Sequence, residues 1–135
     1  MKDLLLDPKA RNATDVSHKV VAVASSSSKD KADQFISSLN IPQPCAAYAS
    51  YKELVSDPNI DVVYVATPHS HHYQNVMLAL EAGKNVLCEK AFTVNAAQTK
   101  ILIQTAKEKG LFLMEAVSPF SSFSVSFSHA AGHCC

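Results

Sequence analysis

Glu89 and Lys90 end the apolar run "NVLCE" inside "KNVLCEKAFTVNAAQ", residues 84–98, just before a predicted helix. Charged side chains are seldom buried without partners, so an acid and a base side by side here face either solvent or a ligand. A second candidate group is "TPHSHH", residues 67–72, which follows the apolar run "IDVVYVA". A third is the hydroxyl cluster Ser25, Ser26, Ser27 and Ser28 after "HKVVAVA", with Lys29 and Lys31 close behind. His69, His71 and His72 are close together, yet no carboxylate or cysteine is spaced to complete a metal set. They read as a loop and helix start, and no metal is expected.

Secondary structure must bring these groups to one place. Residues 20–24 are a continuous apolar run rich in β-branched side chains, the pattern of a strand covered on both faces. "KDKADQFISSL" follows as an amphipathic helix with Ala32, Phe35, Ile36 and Leu39 on one face. A short strand at about residues 46–49 leads to a small helix, "SYKELVSD", that Ser50 can cap. "IDVVYVATP" is the strongest strand signal; a helix over about residues 70–82 follows, with Gly83 as a left-handed stop. "NVLCE" is the next strand. In "NAAQTKILIQTAKEKG" Asn95 and Gln98 have capping-box spacing, Gly110 supplies the stop, and Ile101, Leu102, Gln104, Thr105 and Ala106 form a stripe expected to pack on the sheet. "LFLMEAV" reads as a last strand.

Strands alternating with helices imply parallel pairing through right-handed crossovers, hence an open parallel α/β sheet with helices on both faces. Ligands of such sheets bind beyond the carboxyl ends of the strands, near the reversal of strand order. All three candidate groups fall at predicted strand ends and are therefore expected along one ligand edge.

The 135 residues correspond to about one domain, and 47% hydrophobic residues are enough for a core. Twelve basic and twelve acidic residues cancel, which gives no electrostatic case for nucleic acid or an anionic membrane. The three-leucine run near the N-terminus is too short for a signal sequence or a membrane span, and a cytoplasmic location is expected. Cys45, Cys88, Cys134 and Cys135 form no CxxC pair and no disulfide framework, so reduced thiols are expected.

The two ends break the alternation. "MKDLLLDPKARNATDVS" reads as the end of a helix and a loop with no strand ahead of it. Glycine occurs only at positions 83, 110 and 132, so neither GxGxxG nor a P-loop is present. Residues 118–135, "SPFSSFSVSFSHAAGHCC", carry no Asp, Glu, Lys or Arg and read as an irregular Ser/Phe-rich tail. Its closing His133, Cys134 and Cys135 invite comparison with a metal tract or a prenylation signal, but no accompanying motif supports either.

The ordered run "DPNIDVVYVATPHSHHYQNVMLALEAGKNVLCEKAF" resembles the nucleotide-binding domain of the Gfo/Idh/MocA oxidoreductases. The shared pattern is an apolar strand, Thr-Pro-x-x-x-His, Ala-Gly-Lys, and a strand ending in Glu-Lys-Pro; here it falls on Thr67, Pro68, His72, Ala82, Gly83, Lys84, Glu89 and Lys90. "CEKAFTVNAAQ" is most similar to the branch of NADP-dependent D-xylose 1-dehydrogenases and dihydrodiol dehydrogenases. The resemblance implies an incomplete Rossmann-like domain over residues 1–117, with the first strand, glycine-rich turn and C-terminal substrate domain missing.

It also implies roles. Thr67, Pro68 and His69 would form a loop beside the cofactor, with His72 near it, and Glu89 would approach the nicotinamide ribose. Lys90 would be the catalytic residue, close to the nicotinamide and the reacting hydroxyl. Ala91 stands where the family has proline, which removes a backbone constraint beside that lysine. Ser25 and Ser26 take the place where an NAD enzyme puts an acid, which favours NADP over NAD. The implied reaction is oxidation of a sugar or diol hydroxyl by hydride transfer; the alternative is a catalytically inactive nucleotide-binding fragment or partner subunit. A homo-oligomer is expected only with a second domain.

Overall fold

The alternation of strand and helix predicted for the middle of the chain is present in the computed structural model, which describes residues 18–116 in full and the backbone of residues 124–129. The order is β1 (His18–Ala24), α1 (Lys29–Ser38), β2 (Ala46–Tyr48), α2 (Tyr51–Ser56), β3 (Val62–Val65), a 3-10 turn (His69–His71) running into α3 (His72–Glu81), β4 (Asn85–Glu89), α4 (Ala96–Lys109), β5 (Leu113–Ala116) and β6 (Ser124–His129). The expected caps are in place. Ser28, Ser50 and Asn95 accept from the backbone N–H groups of Lys31, Lys52 and Gln98 at the starts of α1, α2 and α4. Gly110 ends α4 at φ +65°, a left-handed conformation that glycine adopts without steric cost, and Gly83 follows α3 at φ +76°.

The strands form one sheet in the order β2-β1-β6-β3-β4-β5. Pairs β1/β2, β3/β4 and β4/β5 are parallel, as expected. β6 corrects the reading of residues 118–135 as wholly irregular: residues 124–129 form a strand antiparallel to both β1 and β3. The sheet is therefore mixed rather than wholly parallel. Its register sets Ser124 opposite Ala24 and His129 opposite His18, so β6 begins at the ligand edge and runs away from it. Facing strand edges in the middle of a sheet carry backbone donors and acceptors that need partners, and β6 satisfies both rows at once. The readings for residues 1–17, and for Cys134 and Cys135, lie outside the described residues.

Two apolar layers hold the sheet. On one face Ala22, Ala24, Val63, Val65, Val86 and Cys88 meet Leu54 and Val55 of α2, Val76, Ala79 and Leu80 of α3, and Leu102 and Ala106 of α4. On the other, Val20, Val23, Tyr64 and Ala66 meet Ala32 and Ile36 of α1. Each fully buried Leu or Val contributes about 1.5–3 kcal/mol relative to exposure, so these layers fix which way every strand end points. Of the predicted α4 stripe, Leu102 and Ala106 are buried and Ile101 is exposed, and the main neighbour of the helix is α3 rather than the sheet alone. Lys84 serves the fold, since its Nζ donates to the carbonyls of Asp57 (2.8 Å) and Ile60 (2.9 Å) and closes the turn before β3. No helix among the described residues is long and apolar enough to cross a membrane.

Candidate functional site

The carboxyl ends of β1, β3 and β4 carry the candidate side chains, and the order of the parallel strands reverses between β1 and β3. At the end of β1, Ser25 is buried; its hydroxyl lies 3.2 Å from that of Ser27 and its N–H donates to the carbonyl of Tyr48. Ser26 is exposed, as are Lys29 and Lys31. The hydroxyls and ammoniums of this corner are thus divided between a self-bonded Ser25 and outward-facing neighbours.

β3 delivers Thr67, which is buried, with Pro68 and His69 exposed beyond it. The Thr67 hydroxyl accepts from Asn75 Nδ2 at 3.0 Å. His72, at the first position of α3, is 1% exposed, and its ring bridges two backbone carbonyls: Nε2 lies 2.8 Å from the oxygen of Thr67 and Nδ1 2.8 Å from that of Ala91. A neutral imidazole donates to one such oxygen and an imidazolium to both. His72 therefore faces protein and not the crevice. His69 packs edge-on against it, with ring centroids 5.8 Å apart, while His71 and Ser70 contact each other. Among the described residues no group of histidine, cysteine and carboxylate side chains is arranged to hold a metal ion.

Glu89 and Lys90, adjacent in sequence, point to different surroundings. Strand alternation turns Cys88 toward one layer and Glu89 toward the other, where Glu89 is 5% exposed. The Tyr64 hydroxyl donates to Glu89 Oε1, and the backbone N–H of Lys90 donates to Oε2 at 3.3 Å. Burial, and then the bond to Glu89, push the Tyr64 phenol well above its ordinary range. Burial, with Glu115 and Glu89 nearby, raises the Cys88 thiol to about 12. Lys90 is exposed, and its ammonium makes no hydrogen bond or ion pair with the described residues. The Lys90–Ala91 peptide is cis. One residue further on, the N–H of Phe92 donates to Glu115 Oε1 at 2.8 Å.

Of the predicted residues, then, Ser26, Pro68, His69 and Lys90 are exposed at the carboxyl edge, while Ser25, Thr67, His72 and Glu89 are buried behind them. Tyr64 and Glu115 were not singled out from sequence. Tyr64 had no signal, because its place beside Glu89 follows from the register of β3 on β4, which sets it opposite Leu87, two residues before Glu89 on the same side. Glu115 had none, because its contact with residue 92 depends on β5 lying beside β4. An open depression of about 560 Å³, lined by Tyr48, Ser50, Lys52 and Asp57 among others, contains none of the predicted residues.

Comparison with known proteins agrees with the fold. The chain is 65% identical over 116 residues to D-xylose 1-dehydrogenase (NADP(+)) of Hypocrea jecorina, a match that covers 86% of this chain and 30% of that protein. It is 48% identical over 100 residues to mouse trans-1,2-dihydrobenzene-1,2-diol dehydrogenase, covering 74% of this chain and 29% of the other. Among solved structures, an NAD binding oxidoreductase from Klebsiella pneumoniae superposes with a TM-score of 0.66 at 35% identity, over 73% of this chain and 25% of that one. KijD10, a 3-ketoreductase from Actinomadura kijaniata solved with NADP, gives 0.66 at 35% identity, over 72% and 29%. The chain thus spans about 30% of the length of the curated relatives it matches. Residues 7–117 match the GFO_IDH_MocA oxidoreductase family with its NAD-binding Rossmann fold, and the chain belongs to that family.

Proposed function

We propose that this chain provides the nucleotide-binding part of an NADP-dependent oxidoreductase that oxidises a sugar or diol hydroxyl by hydride transfer. The observation that carries the reading is Lys90, an exposed ammonium on a fastened backbone at the carboxyl edge of β4, in a chain 65% identical to a D-xylose 1-dehydrogenase (NADP(+)). The residues present fit the two ends of such a cofactor. At the end of β1, the hydroxyl of Ser26 with Lys29 and Lys31 suits an extra phosphate, and Asp30 between the lysines is outnumbered. The exposed loop of Pro68 and His69, with Lys90 from the neighbouring strand, suits the nicotinamide end. Buried Thr67, His72 and Glu89 shape this end from behind.

A bound cofactor supplies the hydride acceptor. Lys90 would donate a hydrogen bond to the oxygen of the substrate hydroxyl, orienting it and stabilising the negative charge that builds there as the proton passes to water. The substrate is a small sugar or diol and the compartment the cytoplasm, in keeping with the free thiols of Cys45 and Cys88.

One observation favours a second reading, a nucleotide-binding or partner subunit without catalysis of its own. β6 fills the position between β1 and β3 where the sheet order reverses, and it starts at the ligand edge where a parallel strand would end and present a phosphate-binding turn. A thermal unfolding series with NADPH and with NADH tests the cofactor assignment. A ligand that binds only the folded state raises the midpoint, by roughly 10 °C at about 100-fold excess over its Kd. NADPH is expected to raise it and NADH to do so less; indifference to both would defeat the assignment.

A further inference from the structure

Three consecutive residues around Lys90 are each fastened by a side chain from a different element. The N–H of Lys90 donates to Glu89 of β4 (3.3 Å), the carbonyl of Ala91 meets His72 of α3 (2.8 Å), and the N–H of Phe92 donates to Glu115 of β5 (2.8 Å). Glu89 is itself held by the Tyr64 hydroxyl from β3. The same His72 ring reaches the carbonyl of Thr67, which ties this loop to the end of β3. Beside this fastened backbone the Lys90 side chain is exposed and makes no polar contact with the described residues.

Loop backbone groups in solvent exchange water readily and need no side-chain partners, so a satisfied N–H, C=O and N–H in succession restrict the loop to one path. Two of the three bonds are to carboxylates, which makes them stronger than neutral ones. A catalytic group must be held within about half an ångström of its productive place, and its neighbours' packing and hydrogen bonds provide that. A long, flexible lysine gains most from a fixed backbone, because its own rotamers remain to be ordered by the ligand.

We propose that Glu115 and Tyr64 are positioning residues for Lys90: Glu115 acts through the N–H of Phe92, and Tyr64 through Glu89, to complete a clamp with His72. This rests on the reading of Lys90 given under Proposed function. Neither residue touches the reacting atoms; each sets where the ammonium is presented.

The test uses the full chain, as wild type, Glu115→Ala, Glu115→Gln and Tyr64→Phe. Amide hydrogen exchange is followed at Lys90 and Phe92. The Lys90 side chain is followed by NMR after reductive methylation, which keeps its charge, and NADPH affinity is measured beside both. Glu115→Ala is expected to speed exchange at Phe92 about tenfold, move the Lys90 signal and weaken NADPH several-fold, whereas Glu115→Gln, which keeps an acceptor oxygen, restores all three. Tyr64→Phe is expected to move the Lys90 signal while Phe92 stays protected. A residue with only a structural role would alter exchange throughout β5 without moving the Lys90 signal.

The proposal is overturned if Phe92 in the wild type exchanges at the free-peptide rate, or if Glu115→Ala leaves the Lys90 signal in place. Should Glu115→Ala fail to fold, Tyr64→Phe decides, and an unmoved Lys90 signal there overturns it. If the wild type binds no NADPH, the reading under Proposed function falls, while exchange and the lysine signal still decide the clamp.

Discussion

Lys90 joins an ammonium unpartnered among the described residues to a backbone bonded at and just after it, and its replacement should separate function from stability. Under the proposed function, Lys90→Met is expected to change unfolding free energy by under ~0.5 kcal/mol, as for other exposed sites, and to slow the proposed NADP-linked oxidation by ~10²–10⁴-fold. A stability loss of several kcal/mol in urea would show instead that the lysine is structural. The buried and half-buried titrating groups predict an alkaline weakness. Burial raises Cys88 to about 12 and Cys45 to about 11, and lifts Tyr64 above the phenol range. Each keeps its proton longer when folded, so its contribution is whole below the unfolded value and is lost as pH rises through the folded one. The urea midpoint should therefore fall above about pH 8.5, where unfolded thiols begin to ionise, and Cys88→Ala should lessen the fall. A midpoint flat to about pH 11 would contradict this account. The position of Lys90 at a strand end was legible because apolar run, charge and following cap occur in order. The inward turn of Glu89 was less so: a lone acid after an apolar run looks exposed until Tyr64 is known to lie beside it.

At the scale of elements, the parallel strands and their helices announced themselves through apolar runs, caps and left-handed glycines, all of them local signals. β6 did not. "SVSFSH" alternates with the period of a strand, but serine has weak strand preference and the segment lies in a biased tail, so only the long-range need of β1 and β3 for a partner selects it. Its placement makes a sharp prediction. Ser126 is registered with Ala22 on one side and Val63 on the other, so Ser126→Pro removes a ladder N–H from a strand paired along both edges. The expected loss is about 3 kcal/mol or more, read from the urea midpoint. Asn95→Ala, which removes the α4 cap, should cost only about 1 kcal/mol and serves as the scale. Equal, small losses for the two variants would mean that β6 does not hold the sheet together.

In the molecule as a whole, the sheet gathers residues from 25 to 115 along one edge, with an exposed rim of Ser26, Pro68, His69 and Lys90 in front of a buried row. The proposed cofactor would lie along this rim, with β6 at its centre. The most direct test is a titration of the isotope-labelled chain with NADPH, followed residue by residue by NMR. The signals of Ser26, residues 67–69, Lys90 and Phe92 are expected to move together and saturate with a single Kd. Movement confined to the depression around Tyr48 and Asp57, or no movement at saturating NADPH, would contradict a cofactor site on the rim.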